Sequence, residues 1–264
     1  MKILVLLKQT PDTESKIKIA GSGAAIETGD VKFIINPYDE FAIEEALQIK
    51  EKNGNTPEVV ICSFGDEKTR ELIIKGLAMG GDRGLLVSNA GLEQADSLTV
   101  AKVLAGVIKA EKPMIVLCGK QAIDDDNMHV GTMVAELMGW PHVNVVTKLA
   151  IAGEAATAER EVEGGQVEVY EVGLPAVFGA HKALNTPRYA SLPGIMKAKK
   201  KPFDSKSPAD YGCDAGALKS GIKSVVKGYK YPPEKPAGKI FQGEDVAVMV
   251  QKVVKLLREE AKAL

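Results

Sequence analysis

The feature that most constrains the fold of this chain is a series of short, continuous aliphatic runs separated by segments with helical periodicity. The runs lie at residues 3–7, 59–62, 85–87 and 114–118. They do not alternate with polar residues, which is typical of strands buried on both faces of a parallel sheet. Strands separated by helices in this order predict right-handed crossovers and an α/β fold, a Rossmann-like doubly wound parallel sheet.

Three helices are expected between these strands. The first begins at Asn36, which can cap a helix, with Pro37 in the first helical position and Asp39 and Glu40 in the first turn. Two further helices are expected at residues 69–79, before a pair of glycines, and at residues 97–110, before a proline.

Two hairpins interrupt the alternation. An inserted strand pair is expected at residues 16–20 and 31–35, around a glycine-rich turn. After a strand at 143–149, a second hairpin is expected with strands at 160–163 and 166–172, joined at Gly164 and Gly165. Valine alternates with polar residues in the last strand, which predicts one solvent-exposed face for this hairpin.

Composition excludes several classes of protein. With 34 Lys and Arg against 35 Asp and Glu, the net charge of −1 gives no overall attraction for nucleic acid. Three widely spaced cysteines and three histidines suit neither a disulfide framework nor a metal site. The first ten residues lack a signal-peptide pattern, and no apolar run approaches the ~18 residues that cross a membrane. We therefore expect a soluble protein of a reducing compartment, without membrane insertion.

Composition also divides the chain near residue 201. Residues 1–201 are expected to form the α/β domain. From residue 202 the chain is rich in proline and poor in large aliphatic side chains, so this segment cannot form a core of its own. Periodicity returns at residues 244–263, which predicts a C-terminal arm, 202–264, whose amphipathic helix docks onto its own domain or another subunit.

The most informative loop, residues 119–131, follows the strand at 114–118, at the sheet edge where doubly wound folds bind ligands. A helix is expected to begin near Asn127, and backbone amides at a helix start can bind phosphate. Asp124, Asp125 and Asp126, however, would repel a phosphate. A capped helix with an acidic first turn explains the pattern equally well. The loop is neither a Walker A loop nor a dinucleotide-binding glycine turn.

A second segment of interest is residues 187–200. Prolines stiffen it around Leu192, and exposed Leu192, Ile195 and Met196 between lysines would suit an interaction site. A linker whose aliphatic side chains fold back onto the domain is an equal alternative. Elsewhere the sequence contains no recognisable catalytic arrangement, and Cys62 and Cys118 are expected to be small core residues.

Three motifs occur together in the order of a known family: 36–39 (NPYD), 119–126 (GKQAIDDD), and 184–189 (LNTPRY) followed by 195–200 (IMKAKK). The whole chain closely resembles the β (small) subunit of electron transfer flavoprotein. This resemblance implies a Rossmann-like domain of the adenine-nucleotide hydrolase-like type that binds AMP. It implies that the loop amides and Asn127 hold the phosphate, whereas Asp126 forms hydrogen bonds. The implied AMP contacts are Leu6, Asn36, Pro37, Tyr38, Asp39, Phe64, Gly119, Lys120, Gln121, Ala122, Ile123, Asp124, Asp125, Asp126, Asn127, Met128, His129 and Val130.

The resemblance also implies partners. The family pairs with an α subunit that provides most of the FAD contacts, and the arm at 202–264 is expected to wrap onto it. Residues 187–200 resemble the family's recognition loop for acyl-CoA dehydrogenases, with Leu192 as the anchoring leucine. Glu161 is expected to pair with a cation near the flavin domain. The residues implied in partner docking are Pro187, Arg188, Tyr189, Leu192, Ile195, Met196, Lys197 and Lys200.

The implied function is electron carriage from dehydrogenase flavins through FAD to a quinone oxidoreductase, in the bacterial cytoplasm or the mitochondrial matrix, with no catalytic residue in this chain. Two alternatives are open. Electron-bifurcating members of the family hold a second FAD in place of AMP and tend to have a glycine where this chain has Asp125. A stand-alone nucleotide-binding enzyme would instead be a stable monomer that turns over ATP.

Overall fold

A nine-stranded sheet forms the centre of the first of two units in this computed structural model, which describes residues 1–235 and 237–264. The units are Met1–Gly228 and Tyr229–Leu264. Pro236, a proline of the predicted arm, lies outside the described residues. The strands are Lys2–Leu6 (β1), Gln9–Pro11 (β2), Lys18–Ile19 (β3), Ile26–Glu27 (β4), Phe33–Ile35 (β5), Glu58–Gly65 (β6), Arg83–Ser88 (β7), Ile115–Gly119 (β8), His142–Ala152 (β9), Ala155–Val162 (β10), Gln166–Gly173 (β11), Ala176–Ala180 (β12) and Phe203–Lys206 (β13).

Helices cover both faces of the sheet. They are Pro37–Lys52 (α1), Thr69–Met79 (α2), Ser97–Glu111 (α3), Val130–Met138 (α4), Leu192–Ala198 (α5), Ala215–Ser220 (α6) and Val246–Glu259 (α7), with short 3-10 turns at Glu163–Gly165 and Pro208–Tyr211. The sheet order is β11-β10-β9-β12-β8-β1-β6-β7-β13, parallel from β9 to β13 and antiparallel through β10 and β11. The chain order reverses between β1 and β8, which places a topological switch point there.

The core explains why the strand sequences are continuously apolar. In β1, Ile3 and Val5 are buried in the cluster that contains the apolar residues of α1 and α2. Leu4 and Leu6 belong to a second cluster with α3 and α4 on the other face of the sheet. Every residue of the strand interior is therefore covered by a helix. The predicted α/β doubly wound architecture is confirmed.

The inserted segment pairs differently from the prediction. Lys18–Ile19 pairs with Ile26–Glu27, but Phe33–Ile35 pairs antiparallel with Gln9–Pro11, so the expected pairing of 16–20 with 31–35 is wrong. The chain leaving β1 remains extended after Leu7, and it offers β5 a nearer partner. The result is two small two-stranded sheets in place of one hairpin.

The second hairpin forms as β10 and β11, with Gly164 and Gly165 both at positive φ in the turn. Its exposure differs from the prediction. Seven of the eight residues of β11 are exposed, including Val167 and Val169, so both faces of this strand contact solvent. The reason is position: β11 is the edge strand of the sheet and lies beyond the helical layers.

The sheet continues past residue 201. Phe203–Lys206 pairs in parallel with β7 as the opposite edge strand, and the first unit extends to Gly228. A four-residue strand with two charged side chains gives no clear signal in the sequence. In the second unit, α7 is amphipathic and none of its residues is buried. Among the described residues, no helix is long and apolar enough to cross a membrane.

Candidate functional site at the switch point

A cavity of about 220 Å³ opens at the carboxyl ends of β1, β6 and β8. This is the position at which open α/β sheets bind ligands, because the loops diverge on either side of the switch point. Apolar side chains of β1, β6 and α3 form one part of its wall, and the loop 119–131 forms the other.

Asp39 joins the two central strands below this cavity. Its buried carboxylate accepts hydrogen bonds from the backbone amides of Lys8 and Gly119, both at 2.7 Å. Burial raises the pKa of Asp39 to about 7, against the opposing effect of these hydrogen bonds. A Cβ on Gly119 would lie 2.5 Å from the Cβ of Tyr38, so only glycine allows α1 to approach β8 this closely.

Asn36 is the N-cap residue of α1, as predicted, but its side chain holds the loop and forms no capping hydrogen bond. The side-chain nitrogen donates to the carbonyl of Gln121 at 2.9 Å, and the side-chain oxygen accepts from the amide of Ile123 at 3.2 Å. An amide can donate and accept at once, and here both groups bind the loop backbone.

The three consecutive acids of the loop are all engaged. The Lys8 ammonium lies 2.8 Å from Asp124 and 3.1 Å from Asp125. Asp126 accepts a hydrogen bond from the side-chain amide of Gln121. Two of the acids therefore share one cation and the third has a hydrogen-bond partner, which weakens the main objection to an anionic ligand there.

The helix after the loop begins later than predicted. Asp126 and Met128 have φ of +51° and +57°, a left-handed conformation that interrupts helical geometry, so α4 begins at Val130 instead of near Asn127. No side chain caps this end of the helix. Val130 and Gly131 line the cavity, and the first-turn amides of α4 supply partial positive charge at its wall.

The cavity brings most of the predicted nucleotide residues together. Thirteen of them line it: Leu6, Asn36, Asp39, Phe64, Gly119, Lys120, Gln121, Ala122, Asp125, Asn127, Met128, His129 and Val130. The other five lie behind this wall and support it. Pro37 begins α1, Tyr38 lies under the Lys120 ammonium, Ile123 binds Asn36, Asp124 binds Lys8 and Asp126 binds Gln121.

The predicted contacts include neither the α3 side of the cavity nor Lys8, although the loop that Lys8 begins is expected at this edge of the sheet. Lys8 stands directly after the first predicted strand, and this position at a carboxyl end was the signal available. The α3 contribution depends on how that helix is rotated against the sheet, which no local pattern indicates. Further lining residues outside the predicted set include Leu7, Lys8, Ser63, Ala95, Ser97, Val100, Leu104, Cys118 and Gly131.

The cysteines at the cavity are not reactive groups. Burial raises the pKa of both Cys62 and Cys118 to about 12, so each remains a neutral thiol near pH 7. No cluster of three or more potential metal ligands occurs among residues 1–235 and 237–264.

The segment 187–200 forms a short helix where an irregular loop was expected. The Ser191 side chain accepts from the Gly194 amide and caps α5. Leu192 is 80% exposed and Met196 is 74% exposed, and Tyr189 projects almost entirely into solvent. Ile195 is also exposed, as are Lys197 and Lys200. Pro187 is only partly exposed.

Arg188 is engaged within the chain. Its guanidinium donates to Glu44 at 2.8 and 2.9 Å and also to Glu51, so it joins the segment to α1. At the far end, the Lys201 ammonium donates to the carbonyls of Leu77 and Gly81 at the end of α2. Glu161, the residue expected near the flavin domain, is exposed on β10 opposite Val167.

The fold and the cavity define a doubly wound α/β protein with a ligand-sized site at its switch point. Residues 24–211 match the family model of the electron transfer flavoprotein domain. The chain belongs to the electron transfer flavoprotein family and resembles its β subunits over its full length. It is 43% identical to electron transfer flavoprotein subunit beta of Bradyrhizobium diazoefficiens, over 96% of this chain and 97% of the relative. The corresponding protein of Bacillus subtilis is 40% identical over 100% of both chains, and that of Homo sapiens is 38% identical over 96% and 98%.

Proposed function

We propose that the chain is the β subunit of a heterodimeric electron transfer flavoprotein, an electron carrier and not a free-standing enzyme. The observation that carries the proposal is the convergence of residues 36–39 and 119–131, two motifs distant in sequence, on one cavity. The names of the relatives support it, since a β subunit implies a second kind of subunit.

The cavity is suited to AMP. Leu6, Phe64 and Val100 offer apolar surface for a base, while Lys8 and Lys120 bring two cations to the same wall. The uncapped first turn of α4 offers backbone amides for a phosphate, and pairing with Lys8 reduces the repulsion from Asp124 and Asp125. A nucleotide that binds only the folded chain stabilises it by mass action, which is a structural role.

The alternative is an electron-bifurcating β subunit with a second FAD in the cavity. One observation favours AMP. Asp125 lines the cavity and pairs with Lys8, where bifurcating relatives tend to have glycine.

The FAD is proposed to be held mainly by the α subunit, and when bound it supplies the one- and two-electron chemistry of the complex. This chain offers several exposed surfaces to that subunit. The apolar face of α7 and the edge strand β11 are both exposed. Glu161 on β10 is proposed to pair with a cation near the flavin domain.

The helix α5 is proposed to dock acyl-CoA and related dehydrogenases, with Leu192 entering a hydrophobic pocket. The exposure of Leu192 supports this role, because its side chain can enter a pocket without a conformational change in this chain. Lys197 and Lys200 would guide encounter with an acidic partner. Electrons would leave the complex toward a quinone oxidoreductase, in the cytoplasm of a bacterium or the matrix of a mitochondrion.

The function is tested by co-expressing the chain with its α subunit and adding an acyl-CoA and its dehydrogenase. We expect a stable heterodimer whose flavin absorbance is bleached as electrons arrive. A stable monomer that hydrolyses ATP, or a heterodimer without flavin, would contradict the proposal.

A further inference from the structure

Lys8 occupies an unusual position in the cavity. It follows β1 directly, and its backbone amide binds Asp39 while its ammonium reaches across to the loop. The ammonium contacts Asp124 and Asp125 at 2.8 and 3.1 Å, and both Lys8 and Asp125 line the cavity. One side chain therefore connects the end of β1 to the acidic part of the loop 119–131.

The acids create a specific electrostatic difficulty. Three successive carboxylates stand a few residues before the first turn of α4, and Asp125, Val130 and Gly131 line the same cavity. A phosphate bound by the backbone amides of that turn would be repelled by any unpaired carboxylate nearby, since like charges are screened little in a partly closed site. Asp126 is bound to Gln121, which is neutral, so Lys8 is the cation paired with this run among the described residues.

We propose that Lys8 is the charge-compensating residue that makes this loop compatible with the phosphate of a bound mononucleotide. Its single positive charge offsets one of the two negative charges of Asp124 and Asp125 and so lowers the repulsion at the amides of α4, and by contacting both acids it holds the loop against β1. This inference rests on the proposed AMP site and adds a residue to which neither the sequence motifs nor the family match assigns a role.

The protonation state of Lys8 agrees with this role. Burial would lower the pKa of the ammonium, but its hydrogen bonds and charge interactions with Asp124 and Asp125 outweigh burial and raise that pKa above its ordinary value. Lys8 is therefore charged throughout the physiological range, and compensation does not depend on pH there.

The test compares AMP with adenosine, which lacks the phosphate. The heterodimer is stripped of nucleotide, and both dissociation constants are measured by equilibrium dialysis at low and physiological salt. We expect Lys8→Met to weaken AMP binding at least about tenfold and adenosine binding much less, with a larger loss at low salt. Lys8→Met combined with Asp124→Asn and Asp125→Asn should regain most of the affinity for AMP.

Lys18→Met is the matched control, because it breaks an exposed lysine–aspartate pair, with Asp30, outside the cavity. It should leave both constants unchanged. The inference is overturned if Lys8→Met binds AMP normally, if AMP and adenosine weaken equally, or if the combined variant recovers nothing. Failure of the wild type to bind AMP would instead overturn the proposed function, and the role of Lys8 with it.

Discussion

At the level of single residues, Asp39 links the two strands whose carboxyl ends form the cavity. A buried carboxylate that accepts two backbone amides holds β1 and β8 in register with the first turn of α1. The same burial that gives it this role raises its pKa to about 7, so its proton is released within the ordinary working range.

The pKa of Asp39 predicts a pH dependence of stability. The native state keeps the proton up to about pH 7, whereas an unfolded chain releases it near 3.8. The native state thus binds more protons than the unfolded chain between these two pH values. The contribution of Asp39 to the free energy of unfolding therefore falls as pH rises through that window. The stability of wild type relative to Asp39→Asn should decrease by about 1–4 kcal/mol from pH 4 to pH 7 in denaturant titrations.

Asp96 supplies the control for this measurement. Burial opposes ionisation of Asp96, but hydrogen bonds from Thr99, Lys223 and Ser224 hold its pKa at about 2. Its folded and unfolded pKa values both lie below 4, so the stability of wild type relative to Asp96→Asn should change by less than about 0.5 kcal/mol between pH 4 and 7. A pH-independent difference for the Asp39 variant as well would show that the carboxyl is not protonated in the native state.

Leu192 gives a second prediction at this scale. Burying one leucine completely contributes ~1.5–3 kcal/mol, roughly 10- to 150-fold in affinity for a partner. Leu192→Ala should therefore slow flavin reduction by the dehydrogenase at sub-saturating flavoprotein. The melting temperature should not change, since the side chain is 80% exposed in the chain itself.

Leu218→Ala is the opposite control for that variant. Leu218 is buried in the core, so its truncation should lower the melting temperature by several degrees and leave the reduction rate intact. If Leu192→Ala behaves like Leu218→Ala, the docking role is wrong.

At the level of elements, α5 is a short helix anchored at both ends. Before it, Arg188 binds Glu44 and Glu51 of α1. After it, Lys201 binds the carbonyls of Leu77 in α2 and of Gly81 just beyond that helix. Seven residues are too few for a stable isolated helix, so these anchors and the packing against α2 maintain it.

Arg188→Ala should destabilise α5 in the chain itself, whether or not a partner is bound. The variant leaves Glu44, whose side chain is 5% exposed, without its cation. Removing one partner of such a pair costs ~3–5 kcal/mol when both charges are deeply buried, and less here because Arg188 is partly exposed. Hydrogen exchange of residues 189–198 should accelerate by about tenfold or more.

Glu51→Gln tests the same anchor from its exposed side. The Arg188–Glu44 contact remains in this variant, so exchange in α5 should change little. Equal exchange rates in wild type and Arg188→Ala would show that the ion pairs do not hold the helix.

The elements differ in how well the sequence predicts them. β1 and α2 are evident because local signals agree: a continuous aliphatic run in one, and periodicity that ends at Gly80 in the other. The pairing of β5 and the helix α5 depend on tertiary contacts, with β2 and with α2 respectively. The register of a two- or three-residue pair carries too little hydrophobic pattern to be read locally.

At the level of the whole molecule, the second unit contains a helix, α7, with a row of exposed apolar side chains. Val246, Val250, Val253 and Leu257 of α7 all contact solvent. Such a face is covered in a working protein, and we propose that the α subunit covers it.

Charged substitutions on α7 test that proposal. Val250→Lys combined with Leu257→Lys should not lower the melting temperature of the isolated chain, because neither residue is buried in it. The same variant should recover much less α subunit on co-purification, while Lys255→Ala, also an exposed α7 residue, should recover as much as wild type. Unchanged recovery with the double variant would place the interface elsewhere.

The candidate site was predicted in part because its motifs lie at strand ends. Residues 36–39 and the loop 119–131 each come directly after a strand. The topology of the sheet therefore brings them together at one edge. The ion pairs of Lys8, the α3 wall and the direction of Asn36 could not be predicted, because they depend on side-chain geometry across elements far apart in sequence.

The most direct test of the central claim is the identity of the released nucleotides. The chain is purified with its α subunit and denatured. The released nucleotides are separated, identified by mass spectrometry and quantified relative to the amount of protein. The account predicts about one AMP and about one FAD per heterodimer, the AMP held by the amides of α4. Two FAD and no AMP, or no adenine nucleotide beyond the single FAD, would contradict it.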